Sequence, residues 1–373
     1  MYIKNYAEVK KNRVKKKKKR LIFFISLAVL AAVLLIIGIT IFKSSNPKDL
    51  LKTMPFQTAT SSIYNKKGIM YASDDALICI NSSGKQLWSS QLFASGVSLF
   101  ASDNYVVAFK EQTIQVFKSN GDSMFTKNIG QNIVKVICGK NSIGVFYSVT
   151  SDSETEQTQN YLLVLNLSGD EIETIDFEDQ NILKYDFYSD DDELWTLSLD
   201  TSGVTPVSEV VTYKPGKAVT GNIQFTENIV EDVYFNDSYM YVLTTNYLST
   251  YDLYGSIQNT ILIYGWHSDC ISVIDGSPRF MCLKRSEDEH TMMRIITPGV
   301  SDTQINLPGG IKNITVYKNK IYLIGLNKIY KYDISGTQEK AITLPYTYES
   351  IRITGQDYVL FSKGDKVYSY PLS

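Results

Sequence analysis

The chain has 373 residues, with Tyr (26) and Phe (16) abundant, Pro (9) and His (2) scarce, and an ordinary apolar fraction of 44%. That balance excludes a disordered chain and suits an aromatic, β-rich globular domain, while two histidines exclude a metal cluster built of several imidazoles. The formal charge of −2 conceals an asymmetry: residues 1–20 carry ten Lys/Arg against one acid and the remainder 27 against 38, so the two parts stand at +9 and −11.

In chain order, the first predicted element is a basic cytoplasmic tail over residues 1–20. Its lysines are a footprint that nucleic acid could read, but a position against a membrane explains the charge through topology and anionic lipid, so no nucleic-acid partner is expected. Residues 21–42, LIFFISLAVLAAVLLIIGITIF, carry no charge and would span about 33 Å as a helix, enough for a hydrocarbon core of about 30 Å. Lys15–Arg20 lie just before this segment, whereas Lys43-Ser44-Ser45-Asn46-Pro47 follow it. The positive-inside rule therefore predicts a single-pass membrane protein with a cytoplasmic N-terminus and an extracytoplasmic remainder. A cleaved signal peptide would need a shorter apolar region and an A-x-A-like site after it, and neither is met, so the segment reads as an uncleaved signal anchor. Residues 43–54 read as a stalk and residues 55–373 as one folded domain.

That domain is repetitive. Gly84, Gly121, Gly169, Gly216, Gly255, Gly299 and Gly336 each close a short apolar run. An apolar residue follows eight places later in six copies, at Leu92, Ile129, Phe177, Ile263, Leu307 and Leu344, and nine places later at Phe225 in the other. Their spacing is close to the ~40–50 residue period of four-stranded propeller blades. Each repeat opens with a hairpin of period-two alternation, clearest in Ile314–Tyr317 and Ile321–Ile324 around a Lys318-Asn319-Lys320 turn. The glycines sit in the following turn, where a hairpin demands positive φ. Eight hairpins can be counted, from Ile63–Ala72 to Ile351–Ser362. The reading is an all-β, eight-bladed β-propeller of four-stranded antiparallel blades behind one N-terminal transmembrane helix, with seven blades as the alternative. The last copy, Lys366–Ser373, stops one strand short, so the missing strand is expected from residues 55–60 at the other end of the domain, since an open ring would expose strand edges.

The first turn unit, Ser83-Gly84-Lys85-Gln86-Leu87-Trp88, resembles the WD40-like repeats of pyrroloquinoline-quinone-type propellers and of the lipoprotein propeller of bacterial outer-membrane assembly. The anchored plan is also similar to Gram-positive cell-surface propellers. The resemblance covers repeat geometry over 55–373, and the Gly-Lys-x-x-Trp signature occurs once. Quinone-dependent propeller enzymes use adjacent cysteines, which this chain lacks, so no cofactor is expected.

Chemistry-bearing residues are sparse. Cys79, Cys138, Cys270 and Cys282 lie in apolar runs without C-x-x-C spacing, which suits buried free thiols, though Cys270 and Cys282 flank one hairpin and could pair across it. His267 lies at a crossing between blades, and Asp190-Asp191-Asp192-Glu193 lacks the spacing of a calcium loop and reads as a solvated turn. No catalytic or metal residues are assigned and no enzyme is expected.

Loop lengths carry more. Long connections between the second and third strands are expected at 148–160, 200–209 and 284–291, all on one face, and function concentrates on such loops. The candidate interaction residues are Asp152, Glu154, Glu156 and Gln157 in the first, Thr205 in the second, and Glu287, Asp288 and His290 in the third. The leading expectation is a non-enzymatic scaffold docking an envelope or membrane protein through this face. The alternative is a glycan or small-molecule sensor, with Trp195, Tyr241, Tyr247 and Trp266 as rings that could stack on a sugar.

Overall fold

The computed structural model describes residue 10 and residues 47–150, 158–177, 180–285 and 290–372. The chain divides into two units, residues 1–51 and 52–373. In the first, Pro47–Leu50 form one helical turn. The apolar segment 21–42 lies outside the described residues, and among these no helix is long and apolar enough to cross a membrane.

In the second unit, thirty-two strands, β1 to β32 in chain order, form eight four-stranded antiparallel sheets. Seven are consecutive meanders over residues 62–91, 98–128, 133–176, 181–225, 230–262, 266–306 and 311–343, here blades 1 to 7 with strands a to d. Blade 8 takes strands a to c from β30 (Ser350–Ile353), β31 (Tyr358–Lys363) and β32 (Lys366–Pro371) and its fourth from the other end of the unit, β1 (Lys52–Gln57), in the order β1-β32-β31-β30. The closing strand β1 (Lys52–Gln57) pairs with β32 (Lys366–Pro371), Lys52 opposite Ser369 and Gln57 opposite Lys366. It begins three residues earlier than the stretch expected for it. The count is eight.

Strands a meet one another across neighbouring blades, which places them innermost, whereas strands d are outermost and mostly exposed, as in Gln86–Gln91. The strands between alternate. Val106 and Ala108 pack towards blade 1 and Val107 towards blade 3, so period two feeds the two seams of one blade. Apolar clusters of this kind fill the successive seams from blade 1 to blade 7, and another joins Met54 and Phe56 of β1 and Leu360 of blade 8 to Ile69 and Tyr71 of blade 1.

The seven c–d turn glycines all have positive φ, from 72° to 93°. Conformation is only half of their reason. A methyl group on Gly121 would lie 2.6 Å from Trp88 in strand d of blade 1, and one on Gly336 would lie 2.5 Å from Ile305 in strand d of blade 6. The turn of each such blade rests on the outer strand of the blade before it, which a side chain would prevent. In four turns an Asn or Asp three places before the glycine accepts two backbone N–H groups: Asn81 from Ser83 and Lys85, Asn166 from Ser168 and Asp170, Asp252 from Tyr254 and Ser256, Asp333 from Ser335 and Thr337.

The ring is latched by side chains as well as strands. Arg352, on the innermost strand of blade 8, donates to the Thr58 and Thr60 carbonyls and the Ser62 hydroxyl, while Thr58 Oγ1 donates to the Gly364 carbonyl at 2.7 Å.

Candidate functional site

The b–c connections share one face with the d–a connections. In blades 1, 2, 5, 7 and 8 they are two residues long (74–75, 111–112, 245–246, 326–327 and 364–365), whereas residues 151–157, 201–206 and 285–291 connect them in blades 3, 4 and 6. In blade 3 the flanking strands β11 (Ser142–Thr150) and β12 (Thr158–Asn166) run nine residues each and stay in register to Thr150 opposite Thr158. The paired ribbon of blade 3 is thus longer than the b and c strands of blade 2, which have six residues each. In blade 4, Ser202 donates its N–H to Asp200 at 2.8 Å, and the hydroxyl and amide of Ser202 hold the Asp200 carboxyl below its ordinary range.

Of the predicted loop residues, Thr205 is exposed on the blade 4 loop and His290 is half-buried at the foot of the blade 6 loop. Asp152, Glu154, Glu156, Gln157, Glu287 and Asp288 lie outside the described residues. His267 is a strand residue, in β22 (Trp266–Ile274), rather than a loop residue. Burial pushes the Asp269 carboxyl up, and His267 and His290, both within electrostatic reach, pull it back down. Arg285 fixes the root of the blade 6 loop by pairing with Glu231 of blade 5 through its two terminal guanidinium nitrogens and donating from Nε to the Trp266 carbonyl at 3.0 Å.

Five successive blades carry a bulge near the start of strand a, at Val134, Leu183, Glu231, Asp269 and Lys312. Strand a begins at the long-loop face, so in five of the eight blades these residues lie at the start of the innermost strand on that side. The bulge at Asp269 also decides the cysteine question. Ser268 lies opposite Cys282 and Cys270 opposite Met281, so Cys282 turns into the seam with blade 5 and Cys270 into the seam with blade 7. All four cysteines are free.

Three of the rings considered for sugar stacking are core: Trp195, Tyr241 and Trp266 are at most 9% exposed, while Tyr247 is 38% exposed. The acidic run at 190–193 is not simply solvated. Asp192 is buried, and its two carboxylate oxygens accept the backbone N–H groups of Lys140 (2.5 Å) and Asn141 (2.7 Å) in the a–b turn of blade 3. It is a clamp between blades, with Lys140 returning an ion pair to Asp190 at 2.9 Å.

The sequence reading missed a groove on the opposite face, where the a–b and c–d turns lie. At the seam of blades 4 and 5 a cleft of about 340 Å³ opens between strand d of blade 4 and the Asp252–Gly255 turn. Val210, Ile223 and Met240 form its floor, and Tyr188 and Phe235 stand in it as a stacked pair, centroids 4.3 Å apart. Burial, then the charge of Glu193, raises the Tyr188 hydroxyl to about 12. Leu253 and Tyr254 stand at the mouth, 53% and 96% exposed.

No family model matches this sequence, and no curated protein matches it. Solved structures do. The WD40 domain of SCAP from fission yeast aligns at TM-score 0.55 and 10% identity, over 86% of this chain and 96% of that one. AztD from Citrobacter koseri aligns at TM-score 0.51 and 9% identity, over 78% and 86%. BamB from Moraxella catarrhalis aligns at TM-score 0.47 and 8% identity, over 84% and 99%. The chain is a β-propeller. At such identities the likeness speaks for the fold alone, and propellers host many functions.

Proposed function

We propose that this propeller is a non-enzymatic, membrane-tethered platform on the extracytoplasmic side of a cell membrane, docking another envelope or membrane protein through its long-loop face. The observation that carries the reading is the contrast in loop length: two residues in five blades, six or seven in three, all on one face of a closed ring. A closed ring that keeps the b–c connections of five blades to two residues and lengthens three on the same face offers extra chain for recognition of a protein surface there, on a framework that need not rearrange. Entry of the chain at Lys52, at the a–b and c–d face, leaves the long-loop face on the side away from that entry point. The uncharged stretch 21–42 behind Lys15–Arg20 supports the tether and its orientation.

Crosslinking of the full-length protein in intact source cells tests the docking. A discrete membrane partner that disappears when residues 151–157 are deleted is the expected result, whereas absence of any specific partner would replace docking with ligand binding. Orientation has its own test. Thr205→Cys, in a background with the four native cysteines changed to Ala or Ser, is expected to react with a membrane-impermeant maleimide in unbroken cells, and labelling only after lysis would overturn the extracytoplasmic placement.

A further inference from the structure

The groove between blades 4 and 5 points to a second site, on the face opposite the long loops. Beside the 340 Å³ cleft lies a recess of about 330 Å³ that shares Tyr188, Glu193 and Leu253 with it. Together they are lined by five carboxylates, Asp190, Asp191, Glu193, Asp237 and Asp252, and by no lysine or arginine. Lys140 and Lys214 pair with the first two, at 2.9 and 3.3 Å. For Glu193, Asp237 and Asp252 no ion pair is found among the described residues. An apolar floor with acidic walls and an exposed tyrosine is poorly matched to an anion or to a purely apolar group. It suits a long side chain whose stem lies on Val210, Ile223 and Met240 while its cationic head meets carboxylates and the Tyr254 ring.

The surroundings say how such a side chain would be presented. The outer strands of the two blades, β17 (Ala218–Phe225) and β21 (Ile257–Leu262), carry no charged residue, and Val219, Ile257 and Leu262 are 57–62% exposed. Charge is the usual protection of an open sheet edge, and here it is missing. Nine of the seventeen exposed large apolar residues found among the described residues fall between Val219 and Tyr264. An uncharged edge offers backbone hydrogen bonds to an added strand, and the groove at its side offers specificity for one side chain.

We propose that blades 4 and 5 bind an extended segment of a partner protein along the edge of β17, with a lysine or arginine side chain seated in the groove. This goes beyond docking at the long-loop face and does not depend on it. The test uses the full-length protein in detergent micelles and a fluorescein-labelled seven-residue peptide of alternating valine and threonine with a central lysine, followed by anisotropy. The lysine peptide is expected to bind at least tenfold more tightly than its norleucine counterpart, and the glutamate peptide not at all. Tyr254→Ala and Asp237→Lys, both at exposed positions, should each weaken it tenfold or more with an unchanged unfolding midpoint, and deletion of 151–157 should leave it intact. Equal binding of the norleucine peptide, wild-type binding by both variants, or no binding of lysine and arginine peptides at millimolar concentration would overturn the proposal. Competition by neutral N-acetylglucosamine oligomers with the same dependence on Tyr254 would overturn it in favour of a sugar site.

Discussion

The turn glycines separate two costs that are often merged. A side chain at any of them must adopt left-handed backbone, at about 1–2 kcal/mol, but only some also face a neighbour. Around Gly299 there is open space to 4 Å, whereas Gly121 and Gly336 sit against Trp88 and Ile305. Gly299→Ala should therefore cost only the conformational term, and Gly121→Ala or Gly336→Ala a further ~1–3 kcal/mol of overpacking. Urea unfolding of the three variants checks this, and equal losses would remove the packing argument. The thiols make a second residue-level prediction. Burial raises Cys79 and Cys270 to about 11, Cys282 to about 12, and Cys138 upward too, from an ordinary 9.0. Little thiolate exists at pH 8, so Ellman's reagent should find no fast-reacting thiol in the native protein and four in guanidinium. The sign for stability follows. Because the native state holds these protons more tightly than the unfolded chain, the contribution is complete below pH 9 and is lost as pH rises through 11–12, so unfolding midpoints should fall in that alkaline window.

Between elements, the Asp192 clamp shows how far a blade depends on its neighbour. Removing its carboxylate strands two turn N–H groups of blade 3, so Asp192→Ala should lose about 3 kcal/mol, with Asp192→Asn, which keeps one oxygen, losing about half of that. Denaturant unfolding measures both, and a change below 0.5 kcal/mol for the alanine variant would show that water replaces the clamp. This element also marks the limit of sequence reading. The c–d turns were legible because glycine, a local apolar run and an eight-residue offset recur within each repeat. Asp192 looked like one of four solvated acids because its partners lie some fifty residues earlier, in another blade. The pairing of Cys270 was unreadable for a related reason: one bulged residue, Asp269, shifts the register without altering the apolar pattern. The groove has no sequence signature at all, since its lining comes from separate stretches of two blades, among them Tyr188, Val210, Ile223, Met240 and the Asp252–Gly255 turn, that only the packing of the blades brings together. The long-loop face was legible as a departure from period, in the b–c connections 201–206 and 285–291 that contain Thr205 and His290.

For the molecule as a whole, closure is the decisive joint. Without β1, the edge of β32 is exposed and the cluster around Leu360 and Ile69 loses Met54 and Phe56. Deletion of residues 52–57 should shift the protein from its wild-type elution position into aggregates on size exclusion. Arg352→Ala, which removes three donor contacts across the joint, should lower the melting temperature by several degrees without aggregation. A wild-type elution profile for the deletion would mean that another segment can fill the fourth place in blade 8.

The same joint sets a timetable. Among the strands of the ring, the one that closes it leaves the ribosome first and the one it must pair with leaves last, more than three hundred residues later. Until β32 has emerged β1 has no partner, and a nascent chain of seven finished blades still has two open flanks. Formation of the ring is thus a non-local event of high contact order, slow beside the hairpins that precede it. A chain interrupted before β32 keeps those flanks exposed to proteases and chaperones, so the geometry of the joint itself tests whether every blade has been made.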